Sequence, residues 1–135
     1  MKEHVSRKCQ PIEKTLTVRD AGELIQKLNL EEIDFIKIDV ESLEYEIISS
    51  LTDIIKRDQP IITLEFNRLT ATKFGSFDNL SAMMPGYEFY GAVKPPFAPL
   101  SHQLLLKPFD FNKNYAHLIA IPACHTQKSS IKALL

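Results

Sequence analysis

Between Ile33 and Phe66 the spacing of apolar residues changes twice. Residues 35–40 (FIKIDV) are apolar apart from Lys37 and Asp39, and rich in β-branched side chains. They read as a mostly buried strand. Leu43, Ile47, Ile48, Leu51, Ile54 and Ile55 then recur at three- and four-residue intervals. That predicts one helix running to about Arg57. Ser42 stands as its N-cap, and Glu44 suits the positive end of the helix dipole. Pro60 stops the helix and biases Gln59 to extended backbone. Residues 61–66 (IITLEF) form a second strand-like run. Strand, helix and strand with so short a last connection predict a right-handed parallel crossover. Asp39, Glu41 and Glu65 then share the carboxyl edge of the sheet, where open parallel sheets bind ligands.

The flanks are less periodic. Residues 1–11 are polar and predicted to fray. Residues 12–18 alternate as a short strand or lead-in. Asp20 with Glu23 forms a candidate capping box, with Thr17 and Asp20 as second choice, ahead of a short helix that Asn29 ends. Residues 67–79 are polar, contain Gly75 and read as a loop; residues 80–84 allow one helical turn. Residues 87–93 (YEFYGAV) alternate as a strand. The proline cluster at 94–99 predicts a fixed loop over an edge or a site. Residues 102–106 are a short apolar run, residues 115–121 a last strand stopped by Pro122, and residues 123–135 a loose tail. There is no internal repeat.

Composition adds bounds rather than a function. The 135 residues suit one domain with one core, and 44% hydrophobic and 24% charged residues are ordinary for a globular chain. A net charge of −1 argues against a nucleic-acid partner. Nine acids against three bases lie between Glu31 and Asp58, which reads as solvated surface. No apolar run approaches the roughly 18 residues of a membrane span. Cys9 and Cys124 show neither metal spacing nor a disulfide framework, and the amino terminus has no apolar signal region. The expected home is cytoplasmic and reducing.

Candidate chemistry gathers at the strand ends. Asp39 and Glu41 are candidate acid–base residues and Glu65 a further carboxylate. Such carboxylates also cap helices or pair with a neighbour such as Lys37. Three acids without defined spacing do not predict a metal site. Of four scattered histidines, His117 reads as a satisfied strand residue, and His102, after the proline loop, as a candidate for an acceptor pocket. Tyr87, Phe89 and Tyr90 read first as strand packing and second as an acceptor wall.

The segment IDFIKIDVESLEYEIISSL, followed by PIITLE at 60–65, resembles the FkbM-type methyltransferases, which carry a K-I-D-V-E-G segment and then a proline-led strand ending in Glu. The match covers residues 15–66 well and the rest loosely. The resemblance implies S-adenosylmethionine-dependent transfer of a methyl group to a hydroxyl-bearing acceptor, whether small molecule, glycan or lipid. It implies an α/β, Rossmann-like sheet of seven strands. Residues 35–40 would be the fourth strand, residues 61–66 the fifth, and residues 87–93 with 115–121 a C-terminal antiparallel hairpin. Asp39 and Glu41 would be catalytic; Glu65 and His102 stand as substrate-binding candidates by their positions at the strand end and after the proline loop.

The chain departs from that pattern twice. The glycine after D-V-E is Ser42 here, a strained residue if the backbone needs positive φ. The glycine-rich cofactor turn is missing, since Gly22, Gly75, Gly86 and Gly91 form no G-x-G. Residues 12–122 thus look like the carboxyl-terminal half of a methyltransferase, with the strand at 35–40 left as an open edge that invites self-association. The alternatives are a non-catalytic remnant acting as a binding or interaction module, and a small unrelated α/β domain with the central strand fully paired.

Overall fold

In a computed structural model the structure describes residue 15, residues 17–94 and residues 104–124. These form one mixed α/β layer. Helix α1 (Ala21–Leu28) is followed by β1 (Phe35–Ile38), α2 (Glu44–Ser50), α3 (Thr52–Asp58) and β2 (Ile61–Phe66). Next come α4 (Arg68–Phe74), α5 (Phe77–Met83), β3 (Tyr87–Val93), β4 (Leu105–Pro108) and β5 (Tyr115–Pro122). The strands lie in the order β1-β2-β5-β3-β4.

Strands β1 and β2 are parallel, with Ile38 opposite Leu64. Strand β5 runs antiparallel between β2 and β3, and β4 closes the far side against β3. The expected pairing of residues 87–93 with 115–121 is therefore present, but as inner strands, with β4 at the edge beyond them. Register puts Ile38, Leu64 and Leu118 on one face with Ile62 and Ala120. All five are buried in one core with Ile48, Leu51, Ile55, Phe74 and Leu80 from the helices. The opposite face is less covered, and Phe35, Lys37, Thr63 and His117 border a hollow of about 270 Å³ there.

Helix α1 starts where Asp20 accepts from the Glu23 amide at 2.9 Å, and Asn29 ends it in a left-handed turn. The helix expected over 43–57 is two helices. Three hydroxyls bond back into its own carbonyls: Ser49 to Tyr45, Ser50 to Ile47, and Thr52 to Ser49. Such back-bonding bends helices. At Leu51 the amide is shared between the carbonyls of Ile47 and Ile48, and α3 begins anew. Apolar spacing carries through the break, so periodicity alone could not show it.

Three further expectations are corrected. Gln59 is left-handed (φ 49°, ψ 52°), not extended, because its amide caps α3 on the Ile55 carbonyl. Residues 67–79 are not a loop but α4 and the start of α5. Asn67 caps α4 by accepting from Leu69 and Thr70, Gly75 ends it at φ 76°, and Ser76 caps α5 through the Asn79 amide. Strand β1 is shorter and more open than expected. Only Ile38 is buried and Phe35 is 58% exposed, because nothing among the described residues pairs its outer edge. Thr17 and Val18 have no regular structure, and the rest of the 12–18 lead-in, Thr15 apart, lies outside the described residues.

Candidate functional site

The parallel register of β1 and β2 brings Asp39 and Glu65 to the same end of the sheet. Asp39 is exposed, and its carboxylate accepts from Lys37 Nζ at 3.0 Å. Glu65 is half-buried and accepts from Asn67 Nδ2 at 3.1 Å. Glu41 is exposed between them in sequence, on a turn with two consecutive left-handed residues, Glu41 (φ 50°) and Ser42 (φ 80°). The glycine position of the resembled motif is thus the one whose φ here is most positive among the non-glycine residues described.

What holds that turn was missed in the sequence. Ser42 makes no cap; Leu43 is the N-cap of α2 and bonds no amide through its side chain. Glu44 does the work instead. Its fully buried carboxylate accepts from the Val40 amide (3.4 Å), the Ser42 amide (3.3 Å) and the Thr70 hydroxyl (3.1 Å). Three donors stand where a buried carboxylate would otherwise need a cation. Thr70 is itself buried, and its amide donates to Asn67 Oδ1. A chain of contacts thus joins the turn after β1 to the turn after β2: Glu44 to Thr70, Thr70 to Asn67, Asn67 to Glu65. The sequence signal was faint: an acid at the first position of a helix whose preceding turn lacks glycine.

Behind this edge lies an aromatic cluster. Phe66 packs edge-on against Phe109 and Phe111, with centroids 4.8 and 5.6 Å apart, and Phe109 leans on Tyr115. Gly91 is required beneath it, since any Cβ there would fall inside the Tyr115 ring. Tyr87, Phe89 and Tyr90 line a separate open hollow with Phe77 and Phe109. Burial and the Glu88 carboxylate raise the Tyr90 phenol above its ordinary value. Buried Tyr87 donates to the Pro60 carbonyl at 2.9 Å, and desolvation raises its pKa strongly.

His117 does not match its expectation of a satisfied strand histidine: among the described residues its buried Nδ1 has no hydrogen-bond partner. His102 lies outside the described residues. Among the described residues no group of three or more His, Cys, Asp or Glu is placed to hold a metal ion, and Cys124 is a free, exposed thiol. No helix among them is long and apolar enough to cross a membrane.

A family comparison decides the affiliation. The methyltransferase FkbM domain family matches residues 4–92. The chain belongs to the FkbM methyltransferase family. The FkbM match runs from before α1 to the end of β3 and includes Asp39, Glu41, Glu44 and Glu65; β4 and β5 lie beyond it. No curated protein and no solved structure matches the chain.

FkbM membership brings in a methyl-donor cofactor, and the glycines offer it no cradle. Gly22 packs on the Ser50 carbonyl, Gly91 lies under Tyr115, and Gly75 and Gly86 sit at separate turns. The Val40 and Ser42 amides are engaged by Glu44. The described residues therefore place carboxylates at one sheet edge and offer no glycine cradle for a methyl donor.

Proposed function

We propose that residues 12–122 are the carboxyl-terminal half of a Rossmann-like, S-adenosylmethionine-dependent O-methyltransferase unit of FkbM type, acting on a hydroxyl-bearing acceptor in the cytoplasm. The observation that carries this is the delivery of Asp39 and Glu65 to one sheet edge by parallel strands, with Glu41 on the left-handed turn between β1 and α2. The strand order supports the fold: two parallel strands, then a final strand inserted antiparallel beside them.

S-adenosylmethionine, when bound, supplies an electrophilic methyl group. This chain's residues would hold and deprotonate the acceptor. Asp39 is the base candidate, with its Oδ2 kept in place by Lys37 until an acceptor hydroxyl competes for it. Glu41 stands as a second carboxylate, and Glu65, oriented by Asn67, binds the acceptor through its hydroxyls. His102 is proposed to approach the same acceptor.

A second reading has its own observation. The glycines form no donor cradle and Asp39 is already ion-paired, which suits a remnant that binds rather than transfers. Thermal melts of the 135-residue chain with and without millimolar S-adenosylmethionine separate the two. A cooperative melt that rises with ligand supports donor binding by linkage; a cooperative melt indifferent to it supports the binding module. In a complete enzyme containing this half, Asp39→Asn is expected to abolish transfer, and full retained activity would remove Asp39 from the chemistry.

A further inference from the structure

Beyond Asn67 the carboxyl edge opens into a hollow of about 480 Å³. One wall is α4, which presents Arg68, Ala71, Thr72 and Gly75 at helical spacing. The other is the turn before β5, with Phe111, Asn112, Lys113 and Asn114. Antiparallel pairing of Phe66 with Tyr115 explains why the two walls meet: β2 ends where β5 begins.

The composition of this hollow is one-sided. Arg68, Asn112, Lys113 and Asn114 carry side-chain hydrogen-bond donors, the Thr72 hydroxyl is already given to the Arg68 carbonyl, and no carboxylate is among the lining residues, Asp110 pairing with Lys113 from outside them. Arg68 is exposed and makes no ion pair among the described residues. Lys113 lies 2.9 Å from Asp110, whose carboxylate, by accepting its hydrogen bond and then by its charge, raises the ammonium pKa. Ala71 and Gly75 are small and leave the space open, and Phe111 packs edge-on against Phe66.

Both walls are fixed before any ligand arrives. Asn67 caps α4 through two amides. In the opposite turn, the Asp110 amide donates to the Tyr115 hydroxyl, the Asn112 amide to the Asp110 carboxylate, and the Lys113 amide to the Asp110 carbonyl. A guanidinium, an ammonium and two side-chain amides lining one space match the several acceptor oxygens of a tetrahedral oxyanion.

We propose that this hollow is an anion subsite that recognises a phosphate monoester carried by the acceptor. The acceptor assignment rests on the transferase function proposed above; the anion site stands without it. In that arrangement the phosphate sits between Arg68 and Asn112–Asn114 while the acceptor hydroxyl lies toward Asp39 and Glu65 on the same edge. Positive charge at one end and carboxylates at the other fix which way round the acceptor binds.

The test is an amide-resolved NMR titration of the whole chain with millimolar inorganic phosphate, with acetate as the carboxylate control. Saturable shifts at Arg68, Thr72 and residues 112–114 are expected, weaker with acetate. Arg68→Glu reverses the charge of an exposed side chain and should weaken phosphate binding by about tenfold or more without changing the melt. Ala71→Leu, which fills the space and changes no charge, should weaken it too. Phosphate shifts that miss these amides, binding undiminished in Arg68→Glu, or acetate binding as tightly as phosphate would each overturn the proposal. A phosphate response without an S-adenosylmethionine response would leave the anion site standing and remove its link to methyl transfer.

Discussion

Ser42 and Glu44 divide one task between them. Ser42 sits at φ 80°, where an L-residue pays roughly 1–2 kcal/mol. Glu44 holds it there through the Ser42 amide. Ser42→Gly should therefore stabilise the chain by about 0.5–1 kcal/mol, after part of the relief is lost to a looser unfolded chain. Glu44→Ala removes the acceptor for two amides and the Thr70 hydroxyl and should cost about 2–4 kcal/mol. Urea midpoints of the two variants check both, and the opposite sign for Ser42→Gly would mean the turn is not strained. Asp58 gives a pH dependence. Its side chain is 4% exposed, accepts from the Ile33 amide at 3.2 Å, and has its pKa lowered chiefly by Arg57. A depressed carboxylate pKa adds stability above the ordinary value and loses it as pH falls through the folded one. The melt should thus drop on acidification through the lower carboxylate range, and less so in Asp58→Asn.

The elements show which signals survive from sequence to structure. Strand β2 falls on residues 61–66 as its β-rich run predicts, and α1 on its Asp20 cap. Both depend on local patterns that packing reinforces. The break at Leu51 depends on hydroxyls turning back to carbonyls, a choice made by the bent backbone and invisible in apolar spacing. Helices α4 and α5 were hidden because their turn residues were read as loop. Asn67, Gly75 and Ser76 are cap, stop and cap, and the apolar Phe74 of α4 and Leu80 of α5 are buried. The carboxylates Asp39, Glu41 and Glu65 could be picked from strand ends, but Glu44, Thr70 and the Arg68 hollow could not. Those are joined only by tertiary packing across 26 residues or more.

For the molecule as a whole, the edge of β1 that no described residue pairs is the feature with a consequence for assembly. The Ile61 amide bonds the Asp34 carbonyl, and parallel pairing alternates, so Phe35, Lys37 and Asp39 point their backbone groups outward. An antiparallel second copy centred on Ile38 sets Lys37 opposite Asp39 twice and aligns Ile36 with Val40. Sedimentation of the 135-residue chain is expected to show a salt-sensitive dimer, dissociated in Lys37→Asp and restored when Asp39→Lys is added. A monomer at every concentration would end the idea.

The order of strands also sets a timetable for synthesis. Strand β5 is the last of the described strands to be made, yet it lies between β2 and β3. Until its residues leave the ribosome, β2 and β3 have nothing to pair with on their facing sides, and Leu118 and Ala120 are missing from the core. A nascent chain halted after β4 therefore carries two unfinished edges and an unsealed apolar face, the kind of intermediate that chaperones exist to shield. Closure comes as one late insertion that pairs Ile62 with Ala120, a non-local contact of the kind that slows folding.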